Sequence, residues 1–178
     1  MTAEKQVGDK KIRLVIGDIA DLEVEAFVYD IRSDVKLGTG LGGAISVRGG
    51  KTIQQELDEI GTCPKGGAII TTAGKMKAEK IIHVNGPKFL EEDEEGKLRS
   101  AVQNALKLAD ENHISQLAFP PIGTGLYQVD LQLCSRVMTE TIEQHLSSNS
   151  TSLKEVVIVA LDPREYNPFE PKIGGQNA

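Results

Sequence analysis

The stretch Leu117–Asp130, LAFPPIGTGLYQVD, carries the reading of the fold. A short apolar run, Leu117 to Phe119, is followed by Pro120-Pro121 and then by a loop with glycine at 123 and 125. From Leu131 to Leu146 the pattern turns helical, with Leu133, Val137, Thr141 and Ile142 leading toward Leu146. Strand, glycine loop and helix in that order form a unit of an open α/β sheet. In such sheets ligands bind outside the carboxyl ends of the strands, which is where this loop sits.

The same alternation extends in both directions. Ile12–Ile16, Ala26–Tyr29, Ala68–Thr72, Ile81–Val84 and Val156–Leu161 read as short buried strands. Ala44–Ile60, with Ile45, Ile53, Leu57 and Ile60 on one side, is expected to be helical. So is Leu98–Asn112, where Leu98, Val102, Ala105, Leu106 and Ala109 recur at spacings of three and four. Strands apolar on both faces and separated by helices imply a sheet covered on each side. Too few residues separate Ala68–Thr72 from Ile81–Val84 for a crossover helix, so that pair is expected to be antiparallel and the sheet mixed. The expected class is α/β, a three-layer α/β/α sandwich on a mixed sheet of about six strands. One domain spans residues 1–178, with its core at about 10–165 and both ends frayed.

Composition narrows the function classes. The 178 residues carry 39% hydrophobic and 26% charged side chains, ordinary for a chain with a core and unlike a disordered one. The net charge of -6 argues against non-specific nucleic-acid binding, which needs a basic face, but not against one small anion held by backbone amides. No apolar run has the length of a bilayer span, and the start, MTAEKQVGDKK, lacks a signal-peptide core. No membrane partner is expected, and a cytoplasmic location, or a nuclear one in a eukaryote, follows as the default. Cys63 and Cys134 have no neighbours at metal-ligand spacing and read as ordinary thiols.

A second glycine loop, Gly38–Gly43 (GTGLGG), precedes a helical pattern opening at Ala44. Glycines let backbone amides approach a ligand, and a helix N-terminus adds unpaired donors suited to a diphosphate. Its distance from the preceding strand does not fit a dinucleotide fingerprint, and the Lys-Ser/Thr end of a P-loop is missing. Gly38–Gly43 and Ile122–Tyr127 share G-T-G-L and would close on opposite sides of one diphosphate. Thr39 and Thr124 would add hydroxyls, and Tyr127 either an aromatic face for a sugar or base or simple core filling. Asp18, at the end of the first strand, would either accept from an adenine amino group or cap the next turn. His83 reads as a core histidine, and His113 and His145 as residues at helix ends. No catalytic residue, nucleophile–base pair or metal cluster is identified.

In this order the segments VIGDIAD (Val15–Asp21), VEAFVYDIRSD (Val24–Asp34), GTGLGGAISVRGG (Gly38–Gly50), GGAIITTAGKMKAEKIIHVNGP (Gly66–Pro87) and LAFPPIGTGLYQVD resemble the macro domain, an ADP-ribose-binding module. The resemblance covers roughly Ile12–Asp162. It implies ADP-ribose, free or on an ADP-ribosylated protein, as the ligand, with no further cofactor. It implies that Asp18 selects adenine and that Ile19 contributes a backbone contact. Gly38, Thr39, Gly40, Leu41, Gly42 and Gly43 match the first phosphate loop. Ile122, Gly123, Thr124, Gly125 and Leu126 match the second, and Tyr127 the aromatic residue beside the distal ribose.

Departures from the family pattern bear on the reaction. Where the family's hydrolases carry N-A-A-N, this chain has Tyr29, Asp30, Ile31 and Arg32. Arg32 thus replaces an Asn that helps place the distal ribose and a water, and Gly42 replaces the first-loop Asp. Losing groups that orient water removes a large part of the rate, so binding is expected to outweigh turnover. Asp162 stands where an adenine-stacking aromatic is common, leaving Tyr166 or Phe169 as substitutes. An ADP-ribosyl hydrolase or O-acetyl-ADP-ribose deacetylase is the alternative, and a protein-interaction scaffold without nucleotide binding the third.

Overall fold

A computed structural model describes residues 1–125 and 127–174. Seven strands form one sheet: β1 (Thr2–Val7), β2 (Lys10–Ile16), β3 (Ala26–Asp30), β4 (Ala68–Thr72), β5 (Lys80–Val84), β6 (Gln116–Phe119) and β7 (Glu155–Ala160). Their spatial order is β1-β2-β7-β6-β3-β5-β4. The five central strands run parallel, and the outer two, β1 and β4, are antiparallel to their neighbours. The expected antiparallel pairing of β4 with β5 is present, with Ile70 opposite Ile82.

Among the described residues there are six α-helices, α1 (Gly40–Gly49), α2 (Thr52–Ile60), α3 (Glu94–Glu111), α4 (Leu131–Leu146), α5 (Pro163–Tyr166) and α6 (Glu170–Ile173), and a 3-10 turn at Ile19–Asp21. Successive residues of a strand face opposite sides, so the sheet feeds two cores. Leu14, Val28, Ile82, Phe119 and Ile158 pack beneath Leu98, Val102 and Leu106 of α3 and Val137 and Ile142 of α4. Phe27, Ile81, Ala118 and Val157 pack beneath Ile45 of α1 and Ile53 and Leu57 of α2. Burial on both faces is why the central strands read as unbroken apolar runs. Each such side chain contributes roughly 1.5–3 kcal/mol when fully buried.

Two expectations are corrected. The sheet has a seventh strand, because TAEKQV alternates exposed and half-buried positions as an edge strand does, with too few apolar residues to stand out. The helix expected over Ala44–Ile60 is two helices, separated at Gly50, whose φ of 86° leaves the helical region. The first of them starts at Gly40, not Ala44, and so draws the glycine loop into its opening turn. Both described ends are built into the fold. β1 is paired along its length with β2, and Phe169 and Ile173 are buried in the core on the α3–α4 side.

Candidate ligand-binding cleft

A cleft of about 790 Å³ opens at the carboxyl ends of the parallel strands. Strand order arranges its walls. β2 and β7 deliver Gly17, Asp18, Val159 and Leu161 to one side, β6 the loop from Pro120 to Gly125, and β3 the residues Tyr29, Asp30 and Arg32. The segment Leu37–Leu41 and Ala44 and Arg48 of α1 close it from the helical layer.

The first loop owes its shape to Tyr29. Its hydroxyl donates to the Leu37 carbonyl at 2.8 Å, holding the chain just ahead of Gly38 (φ 66°). Gln54 supports the same turn, accepting from Leu37 N at 3.1 Å and donating to the Val35 carbonyl at 3.0 Å. A Cβ on Gly42 would run into the Leu37 carbonyl and the Tyr29 hydroxyl, so only glycine lets α1 begin there. Thr39 caps α1 without a side-chain bond, which leaves the first-turn amides without partners in the helix, and Thr39, Gly40 and Leu41 line the cleft. Such a terminus attracts anions.

The second loop is held differently. Val129 N donates to the Gly123 carbonyl at 2.9 Å and Gln128 N to the Gly125 carbonyl at 3.2 Å. Gly123 has φ 76°, and a Cβ there would strike Val129. The Thr124 hydroxyl donates to the Pro121 carbonyl at 3.1 Å, so its proton serves the loop and not a ligand. Asp130 caps α4 by accepting from Gln132 N and Leu133 N, both at 3.0 Å, which closes that terminus to anions. Helix-end attraction therefore comes from α1, and α4 contributes only the loop ahead of it.

Asp18 performs the capping role and faces the cleft as well. Its Oδ1 accepts from Ala20 N at 3.0 Å, starting the turn Ile19–Asp21, and its Oδ2 takes a 2.8 Å ion pair from Arg48 Nη1. A carboxylate has lone pairs beyond these two, so acceptance from a ligand amine is compatible with both bonds. Tyr127 is half-buried on the cleft wall, with Lys88 Nζ 5.6 Å from its ring centroid. Arg32 lines the cleft and pairs with Asp34 at 2.8 Å on the exposed rim.

At the end of β3 stands Asp30, half-buried as a residue but with one carboxylate oxygen closed off from solvent. Asp30 Oδ1 accepts from Gly86 N at 3.0 Å, while Oδ2 is sealed from solvent without a partner among the described residues. Burial pushes this carboxyl up to about 7; the amides of Gly86 and Gly123 and the charge of Lys65 pull it back only in part. Tyr29 is pushed up to about 12, chiefly by burial, and stays a neutral donor. His83 is the expected core histidine: its Nε2 lies 2.8 Å from Thr71 Oγ1, and burial lowers it to about 3. His145 pairs with Asp110 at 2.8 Å, far along α4 from the cleft.

The cleft thus gathers Asp18, Ile19, Arg32, Gly38, Thr39, Gly40, Leu41, Gly123, Thr124, Gly125 and Tyr127. Gly42, Gly43 and Ile122 do not line it. Gly42 is buried behind the first loop, Gly43 N bonds to the Thr39 carbonyl at 3.2 Å, and Ile122 belongs to the core. Leu126 lies outside the described residues. Tyr166 and Phe169 are buried and cannot serve as base platforms; the apolar group at that wall is Leu161, 68% exposed. Sequence reasoning missed Arg48 and Glu165. Arg48 is marked only by standing two turns into a helix from Gly40. Glu165 is buried with Oε2 accepting from Leu161 N at 2.8 Å, a role no local pattern announces. Among the described residues no group of acidic, histidine or cysteine side chains is arranged for a metal, and no helix is long and apolar enough to cross a membrane.

Comparison with known proteins agrees with this architecture. Residues 31–138 match the family model described as Macro domain. The chain is 39% identical over 166 residues to a macro domain-containing protein of Caldanaerobacter subterraneus, covering 90% of this chain and 94% of that one. It is 35% identical to a macro domain-containing protein of Listeria monocytogenes, covering 93% and 98%. Among solved structures, the Oceanobacillus iheyensis macrodomain with ADP superposes with a TM-score of 0.90 at 26% identity, covering 97% of this chain and 94% of that one. A mutant of that macrodomain with ADPR gives 0.91 at the same identity, covering 97% and 96%.

Proposed function

Because this chain belongs to the macro domain family, we propose that it binds ADP-ribose, free or attached to protein, with the diphosphate between its two glycine-rich loops. The observation that carries the reading is the open N-terminus of α1, whose unpaired amides share one cleft with the loop Gly123–Gly125. Asp18 and Leu161 would then receive the adenine, the carboxylate accepting from its amino group and the leucine supplying an apolar face. Tyr127 would lie beside the distal ribose. That solved relatives carry ADP and ADPR supports the ligand class.

Holding is favoured over cutting. Gly42 has no room for a side chain, and Arg32 is turned to Asp34 on the rim, so neither position offers a compact group to orient water. Isothermal titration of the full chain with ADP-ribose tests the reading. A saturable enthalpy, weakened in Asp18→Ala, is expected; no heat with millimolar-range ligand would overturn it. Incubation with mono-ADP-ribosylated protein is expected to release no ADP-ribose above the buffer rate.

A further inference from the structure

Asp30 stands at the floor of the cleft with one carboxylate oxygen engaged and the other idle. Oδ1 accepts from Gly86 N; Oδ2 has neither solvent nor a partner among the described residues. The other two carboxylates that line the cleft are committed. Asp18 is bonded through both oxygens, and Glu165 holds Leu161 N through Oε2 with Oε1 3.7 Å from Arg164. Asp30 also lies directly under the second loop: a Cβ on Gly86 would touch both its carboxylate and Ile122, and the Gly123 amide, beyond hydrogen-bond geometry to Oδ2, still favours the charged form of the same carboxyl as the Gly86 amide does.

Burial at Asp30 outweighs the groups that favour a charge there, the Gly86 and Gly123 amides and Lys65. Lys65, in the segment between α2 and β4, is the cation that favours the ionised form, but its Nζ sits 3.2 Å from the Gly86 carbonyl and is shared with Glu91 at 3.4 Å. Arg32, two residues along the chain, is taken by Asp34. The remaining titratable neighbours are the Tyr29 and Tyr127 phenols and the Cys63 and Cys134 thiols. All four are raised by burial and by the charge of Asp30, and all are neutral at pH 7.

We infer that an ionised Asp30 and an anionic ligand exclude one another, so that binding a diphosphate in this cleft takes up one proton on Asp30. This rests on the binding reading above. A diphosphate brings two negative charges to a wall whose Gly123 amide already faces a carboxylate, in a site where low polarity strengthens their repulsion. Protonating Asp30 removes that repulsion. The burial that holds this carboxyl near neutrality puts the exchange within the physiological range. Asp30 thereby makes the cleft a better anion site in mild acid than in mild base, through a residue that makes no contact with the phosphates.

The test is calorimetry of the full chain with ADP-ribose from about pH 6 to about pH 8, each in two buffers of different ionisation enthalpy. Proton uptake is expected to approach one per ligand at the alkaline end, with affinity falling by up to about tenfold per pH unit above neutrality. Adenosine, which lacks phosphate, is expected to give no uptake. Asp30→Asn is expected to lose both the uptake and the pH dependence, and to bind at the alkaline end as the native chain does at the acid end. Native binding without proton uptake would overturn the inference alone. So would equal uptake with adenosine, or uptake persisting in folded Asp30→Asn. Absence of any ADP-ribose heat across the range would overturn the binding reading itself and this inference with it. The native measurements decide the matter whether or not the variant folds.

Discussion

The Tyr29 hydroxyl occupies the space that a side chain on Gly42 would need, and both residues meet at the Leu37 carbonyl. Two departures that look separate in the sequence are thus one packing arrangement. Tyr29 holds the turn ahead of α1 from within the sheet, and the missing Cβ at 42 lets the helix start against that turn.

Gly42→Asp, which would restore the residue type of the hydrolases, is therefore expected to break the first loop and gain no activity. Its Cβ meets a backbone carbonyl that cannot swing aside, a strain expected to cost more than about 2 kcal/mol. Denaturant unfolding and ADP-ribose titration check this, and a Gly42→Asp protein with native stability and native affinity would refute the packing argument. Tyr29→Phe keeps the ring and leaves the Leu37 carbonyl without its donor. Stability is expected to drop by about 1 kcal/mol, with ligand affinity falling several-fold as the loop loosens.

The two bonds of Asp18 can be separated by substitution. Asp18→Asn keeps an oxygen to accept from Ala20 N but loses the charge that answers Arg48; Asp18→Ala loses both. Capping is worth about 1 kcal/mol, and an exposed ion pair about 0–1 kcal/mol. Asp18→Asn is thus expected to unfold almost like the native chain, with Asp18→Ala about 1 kcal/mol weaker. Both are expected to bind ADP-ribose at least tenfold more weakly if the carboxylate accepts from the adenine amine. Native affinity in Asp18→Asn would show that the group serves the turn only.

The parallel strands and the two glycine loops are legible because their signals are local: apolar runs, glycine spacing, a change to helical period. The cleft-lining role of Asp18 is legible from its place at a strand end. Gly50 is legible as a glycine but not as a helix break, since Ile45, Ile53 and Leu57 keep one apolar face across it. Arg48 and the sealed oxygen of Asp30 depend on neighbours 30 or more residues away, and no window of sequence contains that information. β1 is hidden for the opposite reason, an edge strand being polar enough to resemble a loop.

The C-terminal helices offer a direct check on where the folded core ends. Phe169 is fully buried against the core on the α3–α4 side, and Asp162 caps α5 by accepting from Glu165 N at 3.1 Å. Phe169→Ala is expected to cost about 3–5 kcal/mol, as for other buried aromatics cut to alanine. A midpoint of urea unfolding unchanged from the native chain would mean that this segment is not part of the folded core.

Stability against pH tests Asp30 and His83 together. Asp30 is raised from 3.8 to about 7, so its neutral form suits the fold, and stability is lost as pH rises from about 4 to about 7. His83 is lowered from 6.5 to about 3, so its neutral form also suits the fold, and stability is lost in the other direction, as pH falls from about 6.5 to about 3. Each is worth up to roughly 4 kcal/mol, and over about pH 4.5–6 the two slopes oppose one another. The native chain is therefore expected to unfold in urea with nearly constant stability across that window. Asp30→Asn removes one slope, and its stability is expected to rise by up to about 1.4 kcal/mol per pH unit. His83→Gln removes the other, and its stability is expected to fall with pH by a similar amount. Urea titrations of the three proteins at about half-unit steps of pH decide it. Parallel profiles in all three would mean that neither group changes its proton affinity on folding, and that Asp30 ionises freely beneath the second loop.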